Sequence, residues 1–143
     1  METGLRGVVA NYRLQMTGID KAFPGVKALD GAEFTLAIKP AMRLCEQAPT
    51  FSEAFHQLAI AHHGLDDFEN ADRAYRACLW HCRYHYMAWA GMSECRRVAG
   101  DNRRALKMLR RAISISPDFE AARIAARSLN DEIQRMDETS DDR

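Results

Sequence analysis

The composition is short of the features that would assign the chain to a chemical class. Of 143 residues only four are proline and four are cysteine, and 20 basic residues balance 20 acidic ones. Four cysteines are too sparse for a disulfide-rich secreted scaffold, which predicts free, mostly buried thiols. A zero net charge excludes the simplest signature of a nucleic-acid-binding protein, an overall excess of basic residues. The length and the 47% hydrophobic content fit a single globular domain.

Long hydrophobic runs are also missing. No stretch approaches the roughly 20 apolar residues that a membrane-spanning helix needs. The first residues, METGLRGVVANYR, contain no apolar core followed by a small-residue cleavage site. We therefore expect a cytoplasmic protein that has no membrane partner.

The charges that cancel overall are separated along the chain. Residues 96–111 hold seven basic side chains and one acid, whereas residues 129–143 hold six acids and two arginines. The basic segment could bind nucleic-acid phosphates, but its residues divide between two predicted helices. We therefore favour a solvated face with affinity for acidic partners, including the chain's own acidic tail. That tail, residues 137–143, has no apolar side chain and is predicted to be disordered.

A period of about 34 residues is the main positive signal, and it begins with the segment that contains Phe34. Small, bulky and proline positions keep one register, as at Ala37, Ala71 and Ala105, at Ala54, Ala88 and Ala122, at Phe55 and Trp89, and at Pro49 and Pro117. Agreement among such different residue types predicts a repeated structural unit.

Each period contains two helical patterns that a turn separates. Apolar side chains at i, i+3, i+4 and i+7 predict a helix over residues 53–63. A Gly-Leu-Asp-Asp turn then breaks the pattern, and Asp67 is the predicted N-cap of a second helix. The next period repeats this plan around Gly100 and Asp101, and a last helix is predicted over residues 119–136. Small residues allow helices to cross closely, so stacked hairpins would share one core.

The two periods resemble the tetratricopeptide repeat, a helix-turn-helix unit of the same length. Its succession of bulky, small and turn residues is found in FSEAFHQLAIAHHGLDDFENADRAYRACLWHC and in YMAWAGMSECRRVAGDNRRALKMLRRAISISPDF. The resemblance covers residues 32–130, with Arg83 where the pattern has proline. It implies an all-α stack of antiparallel helix hairpins over residues 40–136, serving as a non-catalytic protein-protein interaction scaffold that needs no cofactor.

In that family the first helices of successive repeats line a concave groove that holds a peptide or helix of a partner protein. By position, the resemblance assigns this groove to Glu53, His56, Gln57, Ile60, His63, Met87, Ala90, Glu94 and Arg97. Some members hold a partner's C-terminal carboxylate with Lys and Asn, but His56, Ile60 and Gly91 stand at those positions here. The resemblance therefore implies a protein or peptide partner without a carboxylate clamp, and the basic segment makes us expect an acidic one.

Residues 1–39 are a separate segment. Residues 14–29, LQMTGIDKAFPGVKAL, are similar to the opening strands of the ATP-binding subunit of sugar-import ABC transporters. That similarity implies a β-hairpin over residues 14–38, and an irregular segment is the alternative. A truncated or fused relative of that subunit is a second interpretation of the whole chain. Its phosphate loop, G-x-x-x-x-G-K-[ST], is absent because no glycine precedes a lysine, so we do not expect ATP binding.

Residues 32–50 admit two interpretations. The repeat register makes them one helix, with Phe34, Ala37 and Ala41 in phase, but Pro40 would then lie inside the helix at a cost of about 3 kcal/mol. The alternative keeps residues 34–38 extended and starts a short helix at Pro40, a position that proline favours. We favour the alternative and therefore place the start of the helical domain at residue 40.

Cysteines and histidines allow a metal-binding interpretation. Cys78, His81, Cys82 and His85 would share one face of a continuous helix and offer donors suited to zinc. The helix is predicted to end near Cys82, however, which moves His85 off that face. We therefore expect no metal, no cofactor and no catalytic residue, and we assign the histidines to the groove and the surface.

Two full repeats, with part of a repeat before them and a capping helix after them, make a short stack. About three repeats are needed for a stable stack, so we expect the N-terminal segment or a homodimer to cover the exposed first face.

Overall fold

The computed structural model describes residues 31–141, so the part of the expected β-hairpin (residues 14–38) that precedes residue 31 and the last two residues lie outside the described part of the chain. Residues 31–141 contain six α-helices and no strand, which confirms the all-α hairpin stack. The helices are α1 (Gly31–Gln47), α2 (Ser52–Gly64), α3 (Phe68–His81), α4 (Tyr86–Val98), α5 (Asn102–Ile115) and α6 (Glu120–Asp141). Each helix packs mainly on its neighbours along the chain, and none of these six is both long and apolar enough to cross a membrane.

The helices repeat with the period of the sequence, down to their end points. α2 and α4 cover residues 52–64 and 86–98, and α3 and α5 cover residues 68–81 and 102–115. The ends of α1 and α3, at positions 47 and 81, are separated by one period, and so are the starts of α4 and α6, at positions 86 and 120. The period in the sequence is thus also a period of the backbone.

The turns inside the two hairpins are built alike. Asp66 and Gly100 both have a positive φ, 58° and 82° respectively. The next residues, Asp67 and Asp101, cap α3 and α5 by accepting a hydrogen bond from the backbone N–H three residues later, at 3.3 and 3.1 Å. Their own N–H groups donate to the carbonyl oxygens five residues earlier, both at 2.9 Å. The predicted N-cap at Asp67 is confirmed, and Asp101 repeats it.

The core forms where small residues let neighbouring helices approach. Tyr75 of α3 is fully buried against Gly91 of α4, and a methyl group at position 91 would overlap the tyrosine ring. One core cluster joins α1, α2, α3 and α4, and a second joins α4, α5 and α6 around Leu109. Trp89 of α4 packs against both clusters, so the two halves of the stack share this helix.

The structure corrects the favoured interpretation of residues 34–40. α1 runs unbroken with Pro40 in its interior, so residues 34–38 are helical and not extended. Phe34, Ala37 and Ala41 are buried, whereas Pro40 is exposed. Because the buried face gains free energy from packing, it offsets the local cost of a proline that points away from the core. The helical domain therefore includes residues 31–39.

The prediction of a disordered tail is also wrong for residues 137–141, since α6 continues to Asp141. Arg103 of α5 donates two hydrogen bonds to the Asp137 carboxylate, at 2.7 and 2.9 Å. These bonds confirm the expected contact between the basic segment and the acidic tail. The end of α6 is thus bound to α5, a contact that the sequence of the tail alone does not indicate.

The first face of the stack keeps apolar side chains in contact with solvent. Leu36 of α1 is 75% exposed, and Phe51 before α2 is 48% exposed. Coverage of this face by the N-terminal segment or by a homodimer stays a prediction.

Candidate functional site

The groove assigned from the tetratricopeptide resemblance maps to one side of α2 and α4, which we call the inner face. Four of its nine residues are buried, namely His56, Ile60, Met87 and Ala90. The accessible residues are Glu53, Gln57, His63 and Glu94, which are partly buried, and Arg97, which is exposed. A partner on this side can therefore touch a rim of polar side chains, and the peptide-binding role of the inner face stays a prediction.

Glu53 organises one end of the inner face. Its Oε1 accepts hydrogen bonds from Gln57 Nε2 at 2.8 Å and His56 Nδ1 at 3.3 Å, and its Oε2 lies 2.9 Å from His85 Nε2. Partial burial alone would raise the pKa of the Glu53 carboxyl, but the hydrogen bonds from His56, His85 and Gln57 outweigh it and hold the pKa well below its usual value. The ionised carboxylate thus ties the first turn of α2 to the start of α4.

The two ring nitrogens of His85 have different roles. His85 is the N-cap of α4, and its Nδ1 accepts the backbone N–H of Ala88 at 3.2 Å. Nδ1 carries no proton, because a backbone N–H can only donate. Nε2 must carry the proton, because the Glu53 carboxylate facing it can only accept. His85 is therefore neutral, and one ring both caps a helix and bonds across the seam between the two hairpins.

Glu53, His56 and His85 also form a group of potential metal ligands whose donor atoms lie within 4.8 Å of one another. Two imidazoles and a carboxylate are a donor set that zinc accepts. A metal would have to replace the proton on His85 Nε2, and moving that proton to Nδ1 would break the cap of α4. The geometry therefore favours a hydrogen-bonded clamp over a metal site.

The four zinc candidates read from the sequence do not share one helix face. α3 ends at His81, Cys82 is its C-cap, and His85 caps the next helix. His81 stacks on Phe55 with ring centroids 5.4 Å apart. Burial raises the pKa of the Cys78 thiol to about 12, which keeps this sulfur protonated and a poor ligand. All four cysteines are free, as predicted, and two of them, Cys78 and Cys95, are buried.

His63 lies toward the other end of the inner face. Its Nδ1 is 3.3 Å from the Tyr75 hydroxyl, and its ring packs edge-on against Phe68. Burial lowers the pKa of His63 to about 4, and the Glu94 carboxylate opposes this shift only in part. Glu94 in turn accepts a hydrogen bond from Arg97 Nε at 2.9 Å. At neutral pH this end therefore presents an uncharged imidazole beside a compensated ion pair.

A second surface lies between α3 and α5, and we call it the outer valley. It is lined by residues of α3, α4, α5 and the turn after α3: Arg76, Leu79, Trp80, Arg83, Trp89, Met92 and Arg111. Trp80 is 84% exposed, and Tyr84 in the adjoining turn is 74% exposed. The indole N–H of Trp89 donates to the Arg83 carbonyl at 2.9 Å, which fixes this turn against α4. Exposed aromatic side chains together with arginines are typical of protein-binding surfaces.

The outer valley was not predicted from the sequence. Arg83 stood out only as a departure from the proline of the repeat, and Trp80 attracted no assignment. A signal was available, because the buried positions of α3 are Ala71, Ala74, Tyr75, Cys78 and Leu79, and Trp80 follows this stripe without belonging to it. A tryptophan that lies outside the apolar stripe of a helix indicates a candidate binding surface.

Comparison with protein-family models gives no match for this sequence, and comparison with curated proteins gives none either. The function is therefore inferred from the geometry of the chain itself.

Proposed function

We propose that this protein is a tetratricopeptide-like interaction module that binds a partner protein. The observation that carries the proposal is the exposure of Trp80 and Tyr84, because the other aromatic side chains of residues 31–141, apart from Phe51, are buried or partly buried. Aromatic side chains that remain exposed beside arginines gain free energy when a partner buries them. The periodic repetition of helices, turns and caps supports a scaffold role, because stacked hairpins present long, rigid surfaces.

The environment of the histidines and buried cysteines supports binding over catalysis. His85 caps a helix, His62 bonds to Asp67 at 3.1 Å, and His81 stacks on a phenylalanine ring. Burial raises the pKa of Cys95, like that of Cys78, to about 12, which makes both thiols weak nucleophiles. These groups hold helices together in the described part of the chain, so we propose no enzymatic role for them. Free thiols fit a reducing compartment, and we propose the cytoplasm.

Affinity capture from native lysate tests the proposal. The wild-type protein is expected to retain at least one partner in constant stoichiometry, and the double variant Trp80→Ser/Tyr84→Ser is expected to lose it. Val98→Ser is the matched control, since Val98 is 47% exposed and does not line the outer valley. Circular dichroism spectra of all variants should coincide, because the changed side chains are on the surface.

The inner face is compared in the same experiment. A charge swap, Glu94→Arg with Arg97→Glu, keeps the local ion pair but reverses its direction. Loss of the partner with this swap and retention with the Trp80 and Tyr84 variant would move the binding surface to the inner face. Identical captured proteins for the wild type and all variants would contradict an interaction role for both surfaces.

A further inference from the structure

We infer that the outer valley binds an acidic peptide segment in which carboxylates flank one large apolar side chain. The inference rests on the proposed interaction role and adds the chemistry of the partner. Two features of the outer valley support it: arginines without a carboxylate partner in the described part of the chain, and an exposed apolar surface.

The arginines of the outer valley differ in whether they are already paired. Arg76 bonds to Asp72 at 2.8 Å, and Asp72 also accepts two hydrogen bonds from Arg96 at 3.1 Å. Arg83 and Arg111 are exposed, and no acidic side chain of residues 31–141 lies within ion-pair distance of either one. Two guanidinium groups at the rim of one concavity therefore remain available for carboxylates, which they can bind through two parallel hydrogen bonds each.

The outer valley also has an apolar part, to which its two tryptophans, Leu79 and Met92 contribute. Trp80 presents most of its indole to solvent, and Trp89 lies partly buried at the floor with Leu79 and Met92. A phenylalanine or leucine side chain placed here would cover Trp80, whose burial is then the main apolar gain of the complex. Acidic residues next to that side chain in the peptide would supply the carboxylates for Arg83 and Arg111.

A peptide fits this surface better than a nucleic acid. Helix α5 has five basic residues and no acid, but Arg103 and Arg104 at its start are already paired with Asp137 and Asp101. The acidic end of α6 lies beside that same start of α5 and would repel a phosphate backbone. Of the five, Lys107, Arg110 and Arg111 keep no acidic partner among residues 31–141, and Arg111 lines the outer valley. The basic surface that α5 offers a ligand is therefore short, whereas nucleic acids favour a longer continuous track.

Fluorescence anisotropy with a synthetic probe tests the inference. The probe is a short fluorescein-labelled peptide with aspartate and glutamate on both sides of a central phenylalanine. The wild-type protein is expected to bind this probe at low ionic strength. A second probe, with asparagine and glutamine in place of the acids, should bind with an affinity at least about tenfold lower. Affinity should also fall as salt is added.

Single substitutions locate the binding. Arg83→Glu, Arg111→Glu and Trp80→Ala are each expected to weaken binding of the acidic probe by about tenfold, the factor that about 1.4 kcal/mol represents. Arg127→Glu is the matched control, because Arg127 is exposed, lies outside the outer valley and changes the net charge by the same amount. Equal loss with Arg127→Glu would show a nonspecific effect of net charge and would overturn the inference.

The remaining outcomes separate the inference from the proposed function. If the acidic probe does not bind while lysate capture still depends on Trp80, the interaction role stands and the acidic chemistry is wrong. If a single-stranded oligothymidylate binds through Arg83 and Arg111 and the peptide does not, the ligand is a nucleic acid. If the protein dimerises through these arginines in sedimentation experiments, the occupant is a second copy. Each of these three results overturns the inference.

Discussion

At the scale of single residues, the contact between Tyr75 and Gly91 sets the fit of the two hairpins. The tyrosine is fully buried, and its ring occupies the space that a side chain at position 91 would need. The equivalent pair one repeat later, Leu109 and Ala125, combines a smaller side chain with a methyl group. The two equivalent helix contacts therefore divide side-chain volume differently: a large ring faces glycine in the first, and a leucine faces alanine in the second.

Gly91→Ala is expected to destabilise the protein. A methyl group at position 91 would overlap several atoms of the buried ring, so overpacking should cost more than about 2 kcal/mol and outweigh the roughly 1 kcal/mol that alanine gains over glycine in a helix. The double variant Tyr75→Leu/Gly91→Ala imitates the next seam, so the two changes should be less destabilising together than their sum. Urea unfolding followed by circular dichroism measures all three variants, and strict additivity would show that the two residues do not share the space.

Acid should destabilise the protein because of His63 and Glu53. The pKa of His63 is about 4 in the folded chain and near 6.5 when unfolded, so the unfolded state binds the proton first and stability falls as the pH drops from about 6.5 toward 4. The largest slope from this one group is about 1.4 kcal/mol per pH unit. Because the pKa of Glu53 is lowered in the folded state, Glu53 adds stability at pH values above its unfolded-state pKa. This stability is lost as the pH falls further.

The free energy of unfolding between pH 7 and about 4 tests this pH dependence. His63→Gln is expected to flatten the curve between about pH 6.5 and 4, and His81→Gln, which changes an exposed ring, serves as its control. An unchanged slope in His63→Gln would contradict the assignment.

At the scale of helices, α1 shows that tertiary packing can override the unfavourable effect of a proline inside a helix. Pro40 lacks the N–H that would bond to the carbonyl oxygen of Leu36, and its ring crowds that same carbonyl. The helix persists because Phe34 and Ala37 lie against the core on its other side. α1 is therefore held by its neighbours more than by its own sequence.

Pro40→Ala is expected to stabilise the protein by about 1–3 kcal/mol, because it restores a backbone hydrogen bond and removes the ring clash. The change is on the exposed side, so packing should not alter. Thermal unfolding measures the gain. Pro117→Ala is the control, since Pro117 lies between α5 and α6 and interrupts no helix, and a larger gain there would contradict the explanation.

The helices from α2 to α5 could be predicted closely because their signals are local. Apolar spacing marked the helices, the predicted cap at Asp67 marked the start of α3, and the Gly100-Asp101 turn marked the break before α5. The continuation of α6 depends on the bonds from Arg103 to Asp137, which join side chains a full repeat apart in the sequence. The burial of Ile60 and the exposure of Trp80 depend likewise on how helices are oriented in the stack, which spacing within one helix does not specify.

At the scale of the whole molecule, α6 completes the second half of the core. Leu129 and Ala122 of α6 are buried in the cluster that contains Leu109 and Ala112 of α5. Beyond residue 133 every described side chain of α6 is exposed. The helix therefore has a structural first part and an exposed last part.

Truncation after residue 117 is expected to destabilise the stack by roughly 3 kcal/mol or more, since it uncovers Leu109 and removes the buried Leu129. Truncation after residue 134 removes exposed residues and should cost less than about 1 kcal/mol, including the surface ion pair of Arg103. Calorimetric unfolding of both truncated chains compares the two parts. Similar melting temperatures would contradict the capping role of α6.

The uneven seams also bear on how the chain avoids folding out of order. Hairpins of equal geometry can exchange neighbours, and such misassembly is a characteristic failure of repeat proteins. A slip of one repeat would place Tyr75 against Ala125 or Gln57, which stand one period after and one period before Gly91, and neither leaves room for its ring. Only the glycine at position 91 leaves space for the Tyr75 ring, so the two hairpins are not interchangeable. The side-chain contacts between the hairpins therefore fix the order of the repeats.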